Sequence, residues 1–263
     1  MLNKFYDKNN KRLVLFLEKA TPLFWDKHWA GNDLASRVRK GDRLVSRFTA
    51  KFLKPGDRIL EGGCGIGQNV FKLQQMGYDV YGVDFAEETV KKTKELFPEL
   101  KIEVQDVRHL SFEANFFDGY WSLGVIEHFQ DGYEEIIKEA QRVIKKGGYF
   151  FLTFPQMSFL RKRKAEKGDY QLFDSRNMNM ANFYEFILDP NRLIADCRKH
   201  GFELKLRSPF DALKGIKDEV NGLKFLGNIY RSKTITARGI KFLLSFFFSR
   251  LVGHAILLVF RKS

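Results

Sequence analysis

Four clusters in the chain have the residue types and spacing to do chemistry. The first is Glu61-Gly62-Gly63-Cys64-Gly65-Ile66-Gly67, entered from the apolar Ile59-Leu60 and left through Gln68-Asn69-Val70. Glycine admits positive φ and removes the Cβ that would hold a ligand off the main chain. Between a strand and a helix, such a run can lay bare backbone against a small molecule, although a glycine-rich turn without a ligand looks the same in isolation. The second and third clusters are acids that close short apolar runs. Asp84 ends Asp79-Val80-Tyr81-Gly82-Val83, and Asp106 ends Ile102-Glu103-Val104-Gln105 ahead of Val107. A carboxylate at a strand tip can accept both hydroxyls of a ribose, while a lone Asp there is more often a turn former. The fourth is Glu127-His128, an adjacent acid and base. The imidazole titrates near neutral pH and could take a proton from an acceptor hydroxyl, or it could prop its loop.

The glycine spacing bears on the ligand. A dinucleotide site wants G-x-G-x-x-G with the pyrophosphate at the helix N-terminus. Here the glycines fall at 63, 65 and 67 behind an acid. That pattern resembles motif I of the class I S-adenosylmethionine-dependent methyltransferases. Their cofactor carries no phosphate, but has a cationic sulfonium and an α-amino group, so a nearby carboxylate makes electrostatic sense. The resemblance extends along the chain. It implies that Glu61, Gly63, Gly65 and Gly67 cradle the methionine part and that Asp84 binds the ribose. It further implies that Phe85 lies against adenine, Asp106 accepts from its amino group and the Val107 N–H faces the ring.

Residues 116–129 resemble the family's motif IV in the form D-x-x-x-S-x-x-x-x-E-H, read on Asp118, Ser122, Glu127 and His128, with Ser122 and Leu123 beside the cofactor. This form is common in small-molecule methyltransferases of the ubiquinone/menaquinone type and in sugar O-methyltransferases. The Asn/Asp-Pro-Pro-aromatic signature of amine methylation and the Pro-Cys pair of cytosine C5 methylation are both missing, which removes the commonest nucleic-acid readings. Phe24-Trp25-Asp26-Lys27-His28-Trp29 resembles the segment that family members fold over the methionine end; Trp25 is the cofactor contact expected from it, with core packing as the alternative.

The elements that must position these groups follow from periodicity and punctuation. A helix is expected over residues 9–24, from Leu13, Phe16, Leu17 and Ala20, and a second from Leu34 to Phe52. Strands are expected at 58–61, 79–84, 101–107, 117–123 and 148–155, with helices at 68–76, 87–96 and 133–144 between them. A polar loop reaches from Arg161-Lys162-Arg163-Lys164 to about 181 and suggests a binding or lid role. A helix at 190–200 and a strand at 202–207 come next, then added helices carrying Leu223, Phe225, Leu226 and Ile229 and a segment from Ile240 to Phe248. A last strand is read at 252–260. The resemblance implies an α/β, Rossmann-like doubly wound sheet of seven strands, order 3-2-1-4-5-7-6 with the last antiparallel, plus helical additions. Residues 1–54 would form a helical arm and cofactor lid. Residues 55–263 would form the methyltransferase domain, with segments 156–181 and 210–250 as a cap on the acceptor side.

Size and composition agree with one such domain. The chain has 263 residues and two cysteines, Cys64 and Cys197, with no CxxC pair. That argues for a reducing cytoplasm and against a disulfide framework or a structural zinc; no metal site is read from the sequence. The polar start is no signal peptide. The net charge of +13 divides unevenly: +8 over residues 1–54, −6 over 55–154 and +11 over 155–263. Basic flanks around an acidic cofactor half suggest an anionic acceptor or surface, or simply a solvated face. Phe242 to Phe260 is near membrane-span length, but Arg250 and His254 interrupt it, so two elements explain it better than one span. Its first part, within 239–250, would suit a peripheral membrane contact.

The reading is therefore an S-adenosylmethionine-dependent methyltransferase releasing S-adenosylhomocysteine. The expected acceptor is a small molecule, glycan or lipid-linked group methylated at oxygen, with nucleic acid disfavoured. An RNA or protein methyltransferase using the basic flanks, or a non-catalytic cofactor-binding scaffold, are the alternatives. The expected location is cytoplasmic, at a membrane surface if the 239–250 contact is real.

Overall fold

The computed structural model describes residues 3–31, 33–220, 226–232 and 234–263. Leu223 and Phe225 lie outside the described residues. The chain opens with a hairpin, β1 (Asn3–Asp7) and β2 (Arg12–Phe16), then α1 (Pro22–Trp29), α2 (Leu34–Val38) and α3 (Arg43–Phe52). The central alternation is β3 (Arg58–Gly62), α4 (Gln68–Gln75), β4 (Asp79–Asp84), α5 (Glu87–Leu96), β5 (Lys101–Val104), β6 (Phe117–Leu123), α6 (Glu134–Val143) and β7 (Ile144–Pro155). Next come α7 (Phe159–Glu166), β8 (Gln171–Leu172), β9 (Phe183–Ile187), α8 (Pro190–Lys199) and β10 (Phe202–Phe210). The chain ends in α9 (Ala212–Glu219), α10 (Leu226–Arg231), α11 (Ile235–Val252) and β11 (Ala255–Lys262).

The main sheet has seven strands in the order β10-β11-β7-β6-β3-β4-β5. Counted from β3 as its first strand, this is 3-2-1-4-5-7-6 read from the β5 edge. The strands from β5 to β7 pair in parallel, and β11 runs antiparallel to both β7 and β10. Strands covered on both faces read as near-continuous apolar runs. Ile59, Leu60, Val80, Val83, Tyr120, Trp121, Phe150 and Leu152 are accordingly buried. Trp121 stacks on Phe151 at 4.3 Å between ring centroids, and its indole N–H donates to Thr49 Oγ1 of α3 at 2.9 Å. The carboxyl ends of β3, β4 and β6 meet beside the point where the strand order reverses, the place where open α/β sheets bind ligands.

Several expectations need correction. The helix expected over residues 9–24 is replaced by the β1–β2 hairpin, a turn and the start of α1, so the N-terminal arm is not helical throughout. Leu13, Val14 and Leu15 are all buried, because β2 is an inner strand of a second sheet ordered β8-β1-β2-β9. The expected helix from Leu34 to Phe52 is two helices, broken at Gly41, whose φ of +52° is left-handed. The stretch expected as a polar loop up to 181 folds as α7 and β8 and supplies that second sheet. The third strand stops at Val104, short of the expected 107, leaving Gln105, Asp106 and Val107 in its exit turn.

Candidate functional site

The glycine loop wraps the end of β3. Gly65 has φ +51°, and a Cβ there would stand 2.6 Å from the Trp29 ring, so the loop and α1 are in direct contact. The Asp84 carboxylate at the tip of β4 organises the same loop. Its Oδ2 accepts the Gly65 N–H at 2.7 Å and its Oδ1 accepts the Ala86 N–H at 2.9 Å. Glu61, at the end of β3, is 3% exposed. Its Oε1 accepts from the Asn69 side-chain amide at 2.6 Å, while Asn69 Oδ1 accepts the Asp42 N–H at the start of α3 at 2.8 Å. Glu61 Oε2 has no hydrogen-bond partner. Burial pushes the Glu61 carboxyl up to about 8, against the pull of the Asn69 bond. A buried acid with one empty oxygen and only a neutral partner fits a ligand that brings positive charge.

Beside the loop lies a cavity of about 280 Å³. At one end stand Asp84, Phe85, Gln105, Asp106 and Val107; Gly63, Leu123 and Val125 line its middle; Trp25, His128, Phe129 and Tyr184 also face it. Of the residues picked from the sequence, Trp25, Gly63, Asp84, Phe85, Asp106, Val107, Leu123 and His128 meet in this cavity. Glu61, Gly65, Gly67, Ser122 and Glu127 stand behind its wall: Gly67 caps α4 in a left-handed conformation, and Ser122 is fully buried with an unpartnered hydroxyl. Asp106 is held by Arg108, with Nε 3.0 Å from Oδ1 and Nη2 2.5 Å from Oδ2. Burial would raise this carboxyl, but the Arg108 bonds hold it below its usual range.

The other end of the cavity is assembled from distant segments. Thr21 caps α1 and Pro22 opens it, with Thr21 Oγ1 accepting the Phe24 N–H at 3.2 Å. Asp26 ties this helix to α5 by accepting from both the N–H and the hydroxyl of Thr89 at 2.8 Å. Trp25 then meets His128 edge-on at 5.1 Å between ring centroids. His128 Nδ1 lies 2.8 Å from the Tyr184 carbonyl of β9, which can only accept, so Nδ1 carries the proton. Burial pushes the His128 imidazole down to about 4, leaving it neutral with its second nitrogen a free lone pair. Tyr184 and Phe129 carry no expected role in the sequence reading, whereas Trp29 belongs to the aromatic cluster expected over the methionine end. Tyr184 reaches the site only because β9 pairs with β2, a contact no local pattern announces.

A larger polar groove of about 440 Å³, between Arg12, Tyr133 and His200, holds none of the strand-tip acids. Among the described residues, no helix is long and apolar enough to cross a membrane.

Comparison with known proteins agrees with this geometry. Residues 60–152 match the family model described as a methyltransferase domain. Over 100 residues the chain is 37% identical to the 2-methyl-6-phytyl-1,4-hydroquinone methyltransferase of Synechocystis, a match covering 36% of this chain and 31% of that one. It is 29% identical over 174 residues to the protein-L-isoaspartate O-methyltransferase of Flavobacterium psychrophilum, covering 62% of this chain and 78% of the other. The chain thus spans less than a third of the first relative and over three quarters of the second. A solved S-adenosylmethionine-dependent methyltransferase of Methanosarcina mazei superposes with a TM-score of 0.55 at 18% identity, over 82% of this chain and 96% of that one. Residues 60–152 thus match a methyltransferase domain, and S-adenosylmethionine is the cofactor that the similar methyltransferases use.

Proposed function

We propose that the chain methylates an oxygen of a small, lipid-linked or glycan-bearing acceptor at an anionic membrane surface. The observation that carries the reading is the single cavity running from the strand-tip acids to the neutral His128. When bound, S-adenosylmethionine supplies a methyl group already made electrophilic by its sulfonium. The residues around it therefore have mainly to align the partners and exclude water. Asp84 grips the ribose hydroxyls, Phe85 lies against the adenine, the Val107 N–H meets the ring, and Asp106 accepts from its amino group. Gly63 leaves room for the methionine chain, Gly65 and Gly67 turn the loop behind it, and Glu61 answers its ammonium charge. Trp25 closes over the methyl end, where the free lone pair of His128 engages the acceptor hydroxyl.

The surface contact is supported by α11. Phe242, Phe246 and Phe247 are 68%, 73% and 64% exposed, a cost that a freely solvated helix has no reason to bear. The helix also carries Arg238, Lys241 and Arg250 and no acid. An apolar face among cations suits the interface of an anionic bilayer.

The test supplies S-adenosylmethionine labelled on its methyl group with lipid and aqueous extracts in turn, beside vesicles containing phosphatidylglycerol. Label should enter the lipid fraction. Replacing Phe242, Phe246 and Phe247 together by Ser should lower both vesicle binding and lipid labelling at least about tenfold, since each ring forfeits up to a few kcal/mol of burial. Label confined to aqueous acceptors would overturn the membrane reading. No label in any fraction, with cofactor still bound, would leave a binding scaffold.

A further inference from the structure

We propose that Glu127, His128 and Glu185 form a divalent-cation site at the acceptor end of the cavity. One donor atom from each of the three lies within 4.8 Å of the other two. The ligands come from two elements, the short 3-10 turn Ile126–His128 and strand β9, which are 57 positions apart in sequence but in contact in the fold.

Three observations favour a cation over an accidental cluster. Glu127 is 2% exposed and its Oε2 has no hydrogen-bond partner, so a buried oxygen is left unsatisfied within the cluster. An uncompensated acid in that position is costly, and a second carboxylate beside it adds repulsion that a metal ion would remove. The second observation is the orientation of His128. Its Nδ1–H is donated to a backbone carbonyl, the arrangement that fixes a metal-ligating imidazole and leaves its other nitrogen to bind. The third is placement. His128 faces the cavity, while Glu185 faces a neighbouring one of about 530 Å³ containing Lys214 and Arg161, so an ion here would sit on the wall between them.

Two carboxylate oxygens and one imidazole nitrogen suit Mn²⁺ or Zn²⁺ and leave coordination positions open. Small side-chain rotations would bring the donors to the roughly 3 to 3.5 Å separations that metal–ligand bonds of about 2.1 Å impose. If the methyl-transfer reading holds, the ion has a direct use. An acceptor hydroxyl bound to it loses its proton to water. Its oxygen then forms the new C–O bond as the C–S bond breaks, and the electron pair stays on sulfur in S-adenosylhomocysteine. His128 would then serve as a ligand, not as the base. The site itself does not depend on that reading.

The experiment uses the full chain, stripped with a chelator and titrated with Mn²⁺ while free Mn²⁺ is followed by electron paramagnetic resonance; Zn²⁺ is tested by equilibrium dialysis. One ion per chain should bind, and Glu127→Gln, His128→Ala and Glu185→Gln should each weaken binding at least about tenfold. S-adenosylhomocysteine binding to the Glu185→Gln protein, measured by calorimetry, reports whether its cavity is intact. Substoichiometric uptake of both metals by the parent chain overturns the site. So does unchanged uptake by a folded Glu185→Gln protein, which decides the matter alone should Glu127→Gln fail to fold. Metal uptake without methyl transfer would instead count against the enzymatic reading and leave the site standing.

Discussion

Two buried glutamates, Glu61 and Glu219, are treated in opposite ways. Glu61 in the cofactor half receives one neutral amide and no cation. Glu219 at the end of α9 is ringed by charge: Arg161 Nε and Lys4 Nζ reach Oε1 at 2.9 and 2.8 Å, Tyr170 donates to Oε2 at 2.6 Å, and Lys164 stands 3.4 Å away. Burial alone would raise the Glu219 carboxyl, yet Arg161 and Lys4 hold it down at about 2. Glu219 bolts β1, α7 and α9 together and is complete. Glu61 is incomplete, which is what supports the ligand role proposed for it.

The largest effect should follow from unbolting the complete site. Glu219→Ala leaves Arg161, itself 1% exposed, without its anion. Removing one partner of a buried pair costs about 3 to 5 kcal/mol. Chemical denaturation should show a loss of that size, with cofactor affinity in the surviving folded protein within a few-fold of the parent. If affinity falls as steeply as stability, the two regions are not separable and the contrast fails.

Next in size is Asp84→Ala, which acts on the other side of the contrast. It removes an acceptor from the Gly65 and Ala86 N–H groups and, in the role proposed for it, from the ribose hydroxyls. Charge-assisted bonds of this kind contribute about 1.5 to 3 kcal/mol each, so S-adenosylmethionine affinity should drop at least about a hundredfold by calorimetry. Near-native affinity would refute the ribose role.

The two regions also differ in how far the sequence exposed them. The glycine loop, Asp84 and Asp106 are legible because each lies at the end of its own strand, within a few residues of its punctuation. The seven-strand order came with the resemblance those residues carry. Glu185 gave no such signal: it meets Glu127 and His128 only after β9 has paired with β2. The β1–β2 hairpin is hidden too, since Leu13, Val14 and Leu15 are all buried and an unbroken apolar run does not declare its period. The fourfold partners of Glu219 were equally hidden, drawn from positions 4, 161, 164 and 170.

The smallest effect, and the one most specific to Glu61, is in the pH dependence of binding. With its carboxyl pushed up to about 8 in the free protein, Glu61 is largely protonated at pH 6 and, in the role proposed for it, must ionise to answer the cofactor's ammonium group. Binding should therefore release a proton, and affinity should climb from pH 6 toward 8 by at most about tenfold per unit. Above roughly pH 8 it should turn down, as the ligand's own α-amino group loses its charge. Stability of the free protein runs the other way. A carboxyl raised in the folded state gives stability that is present at low pH and is lost as pH rises toward 8, so unfolding should become easier over that interval. Calorimetry in two buffers of different ionisation enthalpy measures the released proton directly. Glu61→Gln should abolish both the release and the climb while leaving the ribose end of the cavity gripped by Asp84. A flat profile in the parent chain would mean that the empty oxygen never meets the ligand's charge, and Glu61 would then be a structural acid like Glu219, lacking only its cations.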